Sequence, residues 1–90
     1  MQNSNEFLNA ADIVKKLTTD PTNIEKGQLY GLYKQATIGN INIEKPSNIN
    51  IIAVQKWNEW NKCLDIDKRN AEIQYINLVN SLIQKYGIYE

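Results

Sequence analysis

Tyr30-Gly31-Leu32-Tyr33-Lys34-Gln35-Ala36-Thr37-Ile38-Gly39 is the most informative stretch of this 90-residue chain. At the helical turn of roughly 100° per residue, Leu29, Leu32 and Ala36 fall on one face, and Tyr30, Tyr33 and Lys34 fill the arc beside it. An apolar floor with a polar aromatic border results. Upstream, Thr22 and Glu25 have the Ser/Thr-x-x-Glu spacing of a capping box, which places the start of the helix. Gly39 suits the left-handed conformation that closes one. Gly27 and Gly31 within it each cost roughly 1 kcal/mol relative to alanine.

Three further helices are predicted around this one. Phe7, Ala11, Val14 and Leu17 repeat at helical spacing until Asp20 and Pro21 end the pattern. Ala53, Trp57, Trp60 and Leu64 form a stripe that is expected to bury both indoles, which would then dominate the core. Asp67 is a suitable N-cap for the last and longest helix, whose Tyr75, Val79, Leu82, Ile83 and Tyr86 share a face before Gly87. Residues 40–50, rich in Asn and broken by Pro46 and Ser47, read as a long ordered connection. Ile41 and Ile43 alternate like a strand, but the chain offers no comparable second strand to pair with them. The expected architecture is an all-α four-helix bundle, a single domain over residues 1–90, with one long and two short connections.

Ten basic residues balance ten acidic ones, which argues against a nucleic-acid partner. Apolar runs such as 51–54 are far shorter than the roughly 18–20 residues that span a bilayer, so no stable membrane insertion is expected. The lone Cys63 and the lack of a signal-peptide pattern point to a reducing cytoplasm. With no histidine and no imidazole partner for Cys63, an enzyme is not expected. Glu59, Asp65, Asp67 and Glu72 read as solvated faces or caps, and no metal site is expected. Tyr30, Tyr33 and Lys34 admit two readings. Phenols and an ammonium suit a phosphorylated nucleotide, yet tyrosines at helical spacing also serve as an ordinary core boundary.

Read whole, residues 30–39 resemble the signature of the acyl-CoA-binding protein family. The similarity continues through Asn42, Glu44, Lys45 and Pro46, then Lys56, Trp57, Trp60 and Asn61, then Tyr75, and finally Lys85, Tyr86, Gly87 and Ile88. The resemblance implies an up-down-down-up bundle whose second and fourth helices cross closely, with acyl-CoA lying in a groove over it. It further implies that Tyr30 and Lys34 meet the 3′-phosphate of CoA, that Lys56 is another phosphate ligand and that Tyr33 stacks on adenine. Tyr75 would pack against adenine and ribose, and Lys15 occupies a further ligand-contacting position.

Departures from the family pattern lie at Gly27 and Gln28, where bulky apolar residues usually line the acyl groove. Ile52 and Val54 replace residues that are often basic, and Asn40 replaces the usual Asp. The two tryptophans are expected to be core rather than ligand contacts. The expectation is a monomeric carrier and pool former for medium- to long-chain acyl-CoA, with acyl-CoA as ligand, no cofactor, and at most transient membrane or enzyme contact. The rivals are a helical protein-interaction module without nucleotide binding and, against the missing histidine, a thioesterase or acyltransferase subunit.

Overall fold

The computed structural model describes residues 3–89. Helix α1 (Asn5–Ile13) passes through a short 3-10 turn (Val14–Lys16), and α2 (Asn23–Thr37), α3 (Ile51–Asn61) and α4 (Lys68–Tyr86) follow. Each start is capped by a side-chain oxygen that takes an otherwise unpaired backbone N–H. Phe7 N donates to Ser4, Ala53 N to Asn50 and Asn70 N to Asp67. At α2 the capping box forms as the sequence requires, Glu25 N donating to Thr22 Oγ1 and Thr22 N to Glu25 Oε1.

Long-range bonds fix the helix directions. Asn3 and Ser4, ahead of α1, donate to Glu72 near the start of α4, and Thr18, beyond α1, donates to Gly87 at the other end. Helices α1 and α4 are therefore parallel. Glu25, at the start of α2, accepts from Lys85 and Tyr86 at the end of α4, which makes α2 antiparallel to both. Ile24 and Ile52 share a cleft at the starts of α2 and α3, whose later turns meet through Lys34 and Trp60. This is the up-down-down-up bundle, with α4 between α1 and α2, and with α3 on the far side of α2.

Three expectations are corrected. The first helix ends at Ile13, well before Pro21. Thr18 N donates to Gly87 O and Tyr89 N to Lys16 O, so this segment and the chain end pair as a single antiparallel bridge, Leu17 with Ile88. Those long-range backbone bonds replace the intrahelical ones that continuing α1 would have made. The tryptophans do not dominate the core. Phe7, Ala10, Ala36, Ala71, Tyr75 and Val79 form the buried cluster, with three alanines letting α1, α2 and α4 approach. Trp60 is buried outside that cluster and donates to Gly39 O, while Trp57 is only half-buried and donates to Ile43 O. Leu64 lies past the end of α3 and is 49% exposed, so it leaves the stripe.

The indoles thus act largely as anchors for the long connection, which contains no strand. Residue 65 closes the α3–α4 turn at φ 70°, a conformation that Asp tolerates better than most residues. Asn40 Oδ1 accepts from Asp65 N and from Gln35 Nε2, tying both loops to α2. Asn40 thus bonds to the backbone of the distant α3–α4 turn rather than to its own.

Gly31 is a packing requirement that its helix penalty hides. A Cβ there would lie 2.5 Å from the Glu59 carbonyl oxygen, which is backbone and cannot swing aside. Overpacking of this kind costs about 1–3 kcal/mol, against a gain of up to about 1 kcal/mol in helix propensity. Gly31→Ala should lower unfolding free energy in urea by about 1–2 kcal/mol. Gly27→Ala should be much milder, because the nearest atom to its Cβ, at 2.9 Å, belongs to the flexible Glu59 side chain.

Glu25 joins α2 to α4. Hydrogen bonds from Tyr86, from the Thr22 backbone and from Lys85 hold its carboxyl down at about 2, from an ordinary 4.5. A carboxyl lowered on folding contributes stability above its unfolded value and loses it as pH falls toward the folded one. Thermal melts between about pH 4.5 and 2 should show falling stability that flattens in Glu25→Gln. Glu72 leaves a residual slope: burial raises its pKa, but bonds from Asn3, Ser4 and Arg69 prevail and lower it.

Candidate functional site

The capping box sets the phase of α2, and that phase places Tyr30 and Lys34 on the side of α3 while Tyr33 faces α1 and α4. Two neighbouring half-sites result. In the first, Lys56 Nζ lies 5.4 Å and Lys34 Nζ 5.8 Å from the centre of the Tyr30 ring. Lys34 Nζ is also 5.6 Å from the Trp60 ring. Each ammonium near the phenol ring gains from its negative quadrupole, and the two repel each other. Among the described residues neither lysine makes an ion pair, since the four pairs present involve Lys26, Lys62, Arg69 and Lys85. This arrangement is ready for a multiply charged anion.

In the second half-site, Phe7, Tyr33 and Tyr75 form an aromatic triad. Phe7 stacks on Tyr33 at 5.5 Å and 25°, and Tyr75 tilts against both rings at 5.0 and 5.9 Å. Tyr33 and Tyr75 line a cleft of about 480 Å³ together with Leu8, Ala11, Asp12 and Lys15. Burial, then the neighbouring Tyr33, pushes Tyr75 up to about 12, so its phenol keeps its proton. The site offers the partly exposed Tyr33 ring, backed by buried Phe7 and Tyr75, with the Lys15 ammonium and the Asp12 carboxylate in the same cleft, and such a ring can stack on a planar base.

All six residues singled out in the sequence are therefore placed in two groups, Lys15 with Tyr33 and Tyr75, and Tyr30 with Lys34 and Lys56. Sequence position joins the groups, because Tyr33 and Lys34 are adjacent. A larger cleft of about 620 Å³ opens between α2 and α3, lined by Ile24, Gly27, Tyr30, Ile52, Lys56 and Glu59 among others. Gly27 borders this cleft, whereas Gln28 does not.

Phe7, which backs both tyrosines, and Trp60, which lies beneath Lys34, are parts of the site that periodicity marked only as core. Their signal was membership of apolar stripes, which does not distinguish a core ring from one that supports a binding surface. Among the described residues no group of three or more Asp, Glu, Cys or His side chains is placed to hold a metal ion.

Residues 4–79 match the family model described as acyl CoA binding protein. The chain belongs to the acyl-CoA-binding protein family. A Hypsibius protein named for acyl-CoA binding is 37% identical over 83 residues, covering 92% of this chain and 93% of that protein. The crystal structure of Oryza sativa acyl-CoA-binding protein 2 superposes with a TM-score of 0.85 at 35% identity, covering 89% of each chain. The solution structure of the yeast acyl coenzyme A binding protein does so with a TM-score of 0.74 at 40% identity, covering 93% of this chain and 98% of that one. The acyl-CoA-binding protein fold thus extends over nearly all of the described residues. No helix among them is long and apolar enough to cross a membrane.

Proposed function

We propose that this protein binds medium- to long-chain acyl-CoA thioesters and carries them intact, one per chain. The observation that carries the reading is the convergence of Lys34 and Lys56 over Tyr30, one helical turn from the Phe7–Tyr33–Tyr75 wall. A CoA head needs both: cations for its phosphates and an aromatic surface for adenine. Charge-assisted bonds from ammonium to phosphate are about twice as strong as neutral ones. In this reading Tyr30, Lys34 and Lys56 take the 3′-phosphate, Tyr33 and Tyr75 hold the base and ribose, and Lys15 closes the rim.

The acyl chain takes the α2–α3 cleft, where each methylene withdrawn from water contributes about 0.8 kcal/mol. Longer chains are therefore bound more tightly until the cleft is filled. The protein's role is retention. The chain contains no histidine, and Cys63 is buried with its thiol pushed up by burial and the nearby Glu59, so neither supplies a nucleophile. The carrier acts as one monomeric unit over residues 1–90, in the cytoplasm. Native mass spectrometry after mixing with palmitoyl-CoA tests the reading: one intact thioester per chain is expected, and hydrolysed product or bare protein would refute it.

A further inference from the structure

The α2–α3 cleft opens at an end of the molecule that is unusually apolar. Ile24 is 73% exposed, Ile49 92%, and Ile51 and Ile52 67% each. Ile24 lies in the first turn of α2, and Ile51 and Ile52 open α3, so the parallel pair presents them at the same end. Ile24 and Ile52 themselves line the cleft, which makes the patch continuous with its mouth. Exposed apolar side chains gathered in this way mark an interaction surface, unlike scattered single ones.

The lysines that flank the patch point to an anionic partner. From Pro46 through Gln55 the sequence has no charged residue, and it is bounded by Lys45 and Lys56. Neither lysine makes an ion pair among the described residues, whereas of the acids nearby Asp20, Glu25 and Glu59 are paired with other lysines and Glu44, beside Lys45, is not. Lys56 stands five residues behind Ile51, about 7.5 Å along a helix rising 1.5 Å per residue. That separation matches the depth over which an apolar face enters the headgroup boundary while basic residues remain at phosphate level.

We infer that this isoleucine tip docks reversibly on anionic phospholipid surfaces, so that the cleft mouth opens where acyl chains are dissolved. The inference rests on the proposed acyl-CoA binding for its purpose but not for its test. A tip of four isoleucines gives weak, reversible attachment, as a carrier that must leave the surface requires.

Co-sedimentation with vesicles free of acyl-CoA tests it. The wild-type protein should pellet with phosphatidylcholine–phosphatidylserine vesicles and markedly less with phosphatidylcholine alone. The double variant Ile49→Ser/Ile51→Ser, whose residues do not line the cleft, should lose at least about tenfold in vesicle affinity. It should keep wild-type helicity and, in vesicle-free titration, wild-type affinity for palmitoyl-CoA, which excludes misfolding as the cause. Failure of the wild-type protein to pellet, equal binding to both vesicle types, or unchanged binding by the double variant would overturn the inference. So would a concentration-dependent dimer that the double variant abolishes, since a second copy would then cover the tip. Vesicle binding without palmitoyl-CoA binding would leave the docking intact and sink the carrier reading instead.

Discussion

Replacing Phe7 by alanine is expected to lower the unfolding free energy by about 3–5 kcal/mol, the range for deleting a buried aromatic ring. Phe7 is completely buried and touches both tyrosines of the second half-site. Its loss leaves a cavity between α1, α2 and α4 and removes the surface on which Tyr33 rests. The loss is a large share of the roughly 5–15 kcal/mol typical of a domain's total stability. Urea denaturation measures it, and binding of palmitoyl-CoA by the remaining folded protein should weaken as well. Leu64→Ala provides the contrast. The sequence stripe ranked Leu64 with the core, but its exposure predicts a change within about 0.5 kcal/mol.

Lys34→Ala and Lys56→Ala should each weaken palmitoyl-CoA binding by about 1.5–3 kcal/mol, the range for hydrogen bonds to charged groups. That corresponds to losses of roughly tenfold to more than a hundredfold. The two ammoniums share the Tyr30 ring and one proposed phosphate, so the double variant should lose less than the sum of the singles. Palmitoyl-3′-dephospho-CoA identifies the group they serve. With that ligand, the wild-type protein should already bind weakly and the substitutions should add little. Equal effects on both ligands would move the lysines away from the 3′-phosphate.

Local signals set most of the framework in advance. The capping box at Thr22 and Glu25, the Asp67 cap and the glycines at 39 and 87 each act through hydrogen bonds within one or two helical turns. The end of α1 was not legible, because bonds to residues 87 and 89, some 70 positions away, decide it. Trp57 and Leu64 misled for a related reason. A helical stripe shows which side chains share a face, but not how much of that face a partner covers. Periodicity shows Gly31 only as a helix penalty, because its packing role depends on the backbone of α3.

The candidate site was legible as a motif but not as a place. Tyr30, Tyr33 and Lys34 are close in sequence, and periodicity alone left them between a nucleotide site and a core boundary. What favours the proposed nucleotide site is the arrival of Lys56 from α3 beside Tyr30, which only the assembled bundle provides.

Isothermal titration of the wild-type protein with palmitoyl-CoA tests the central claim most directly. A single saturable event with one ligand per chain, complete at micromolar concentrations, is the expected result. A titration with no saturable heat, from protein whose circular dichroism shows it folded, would contradict the account.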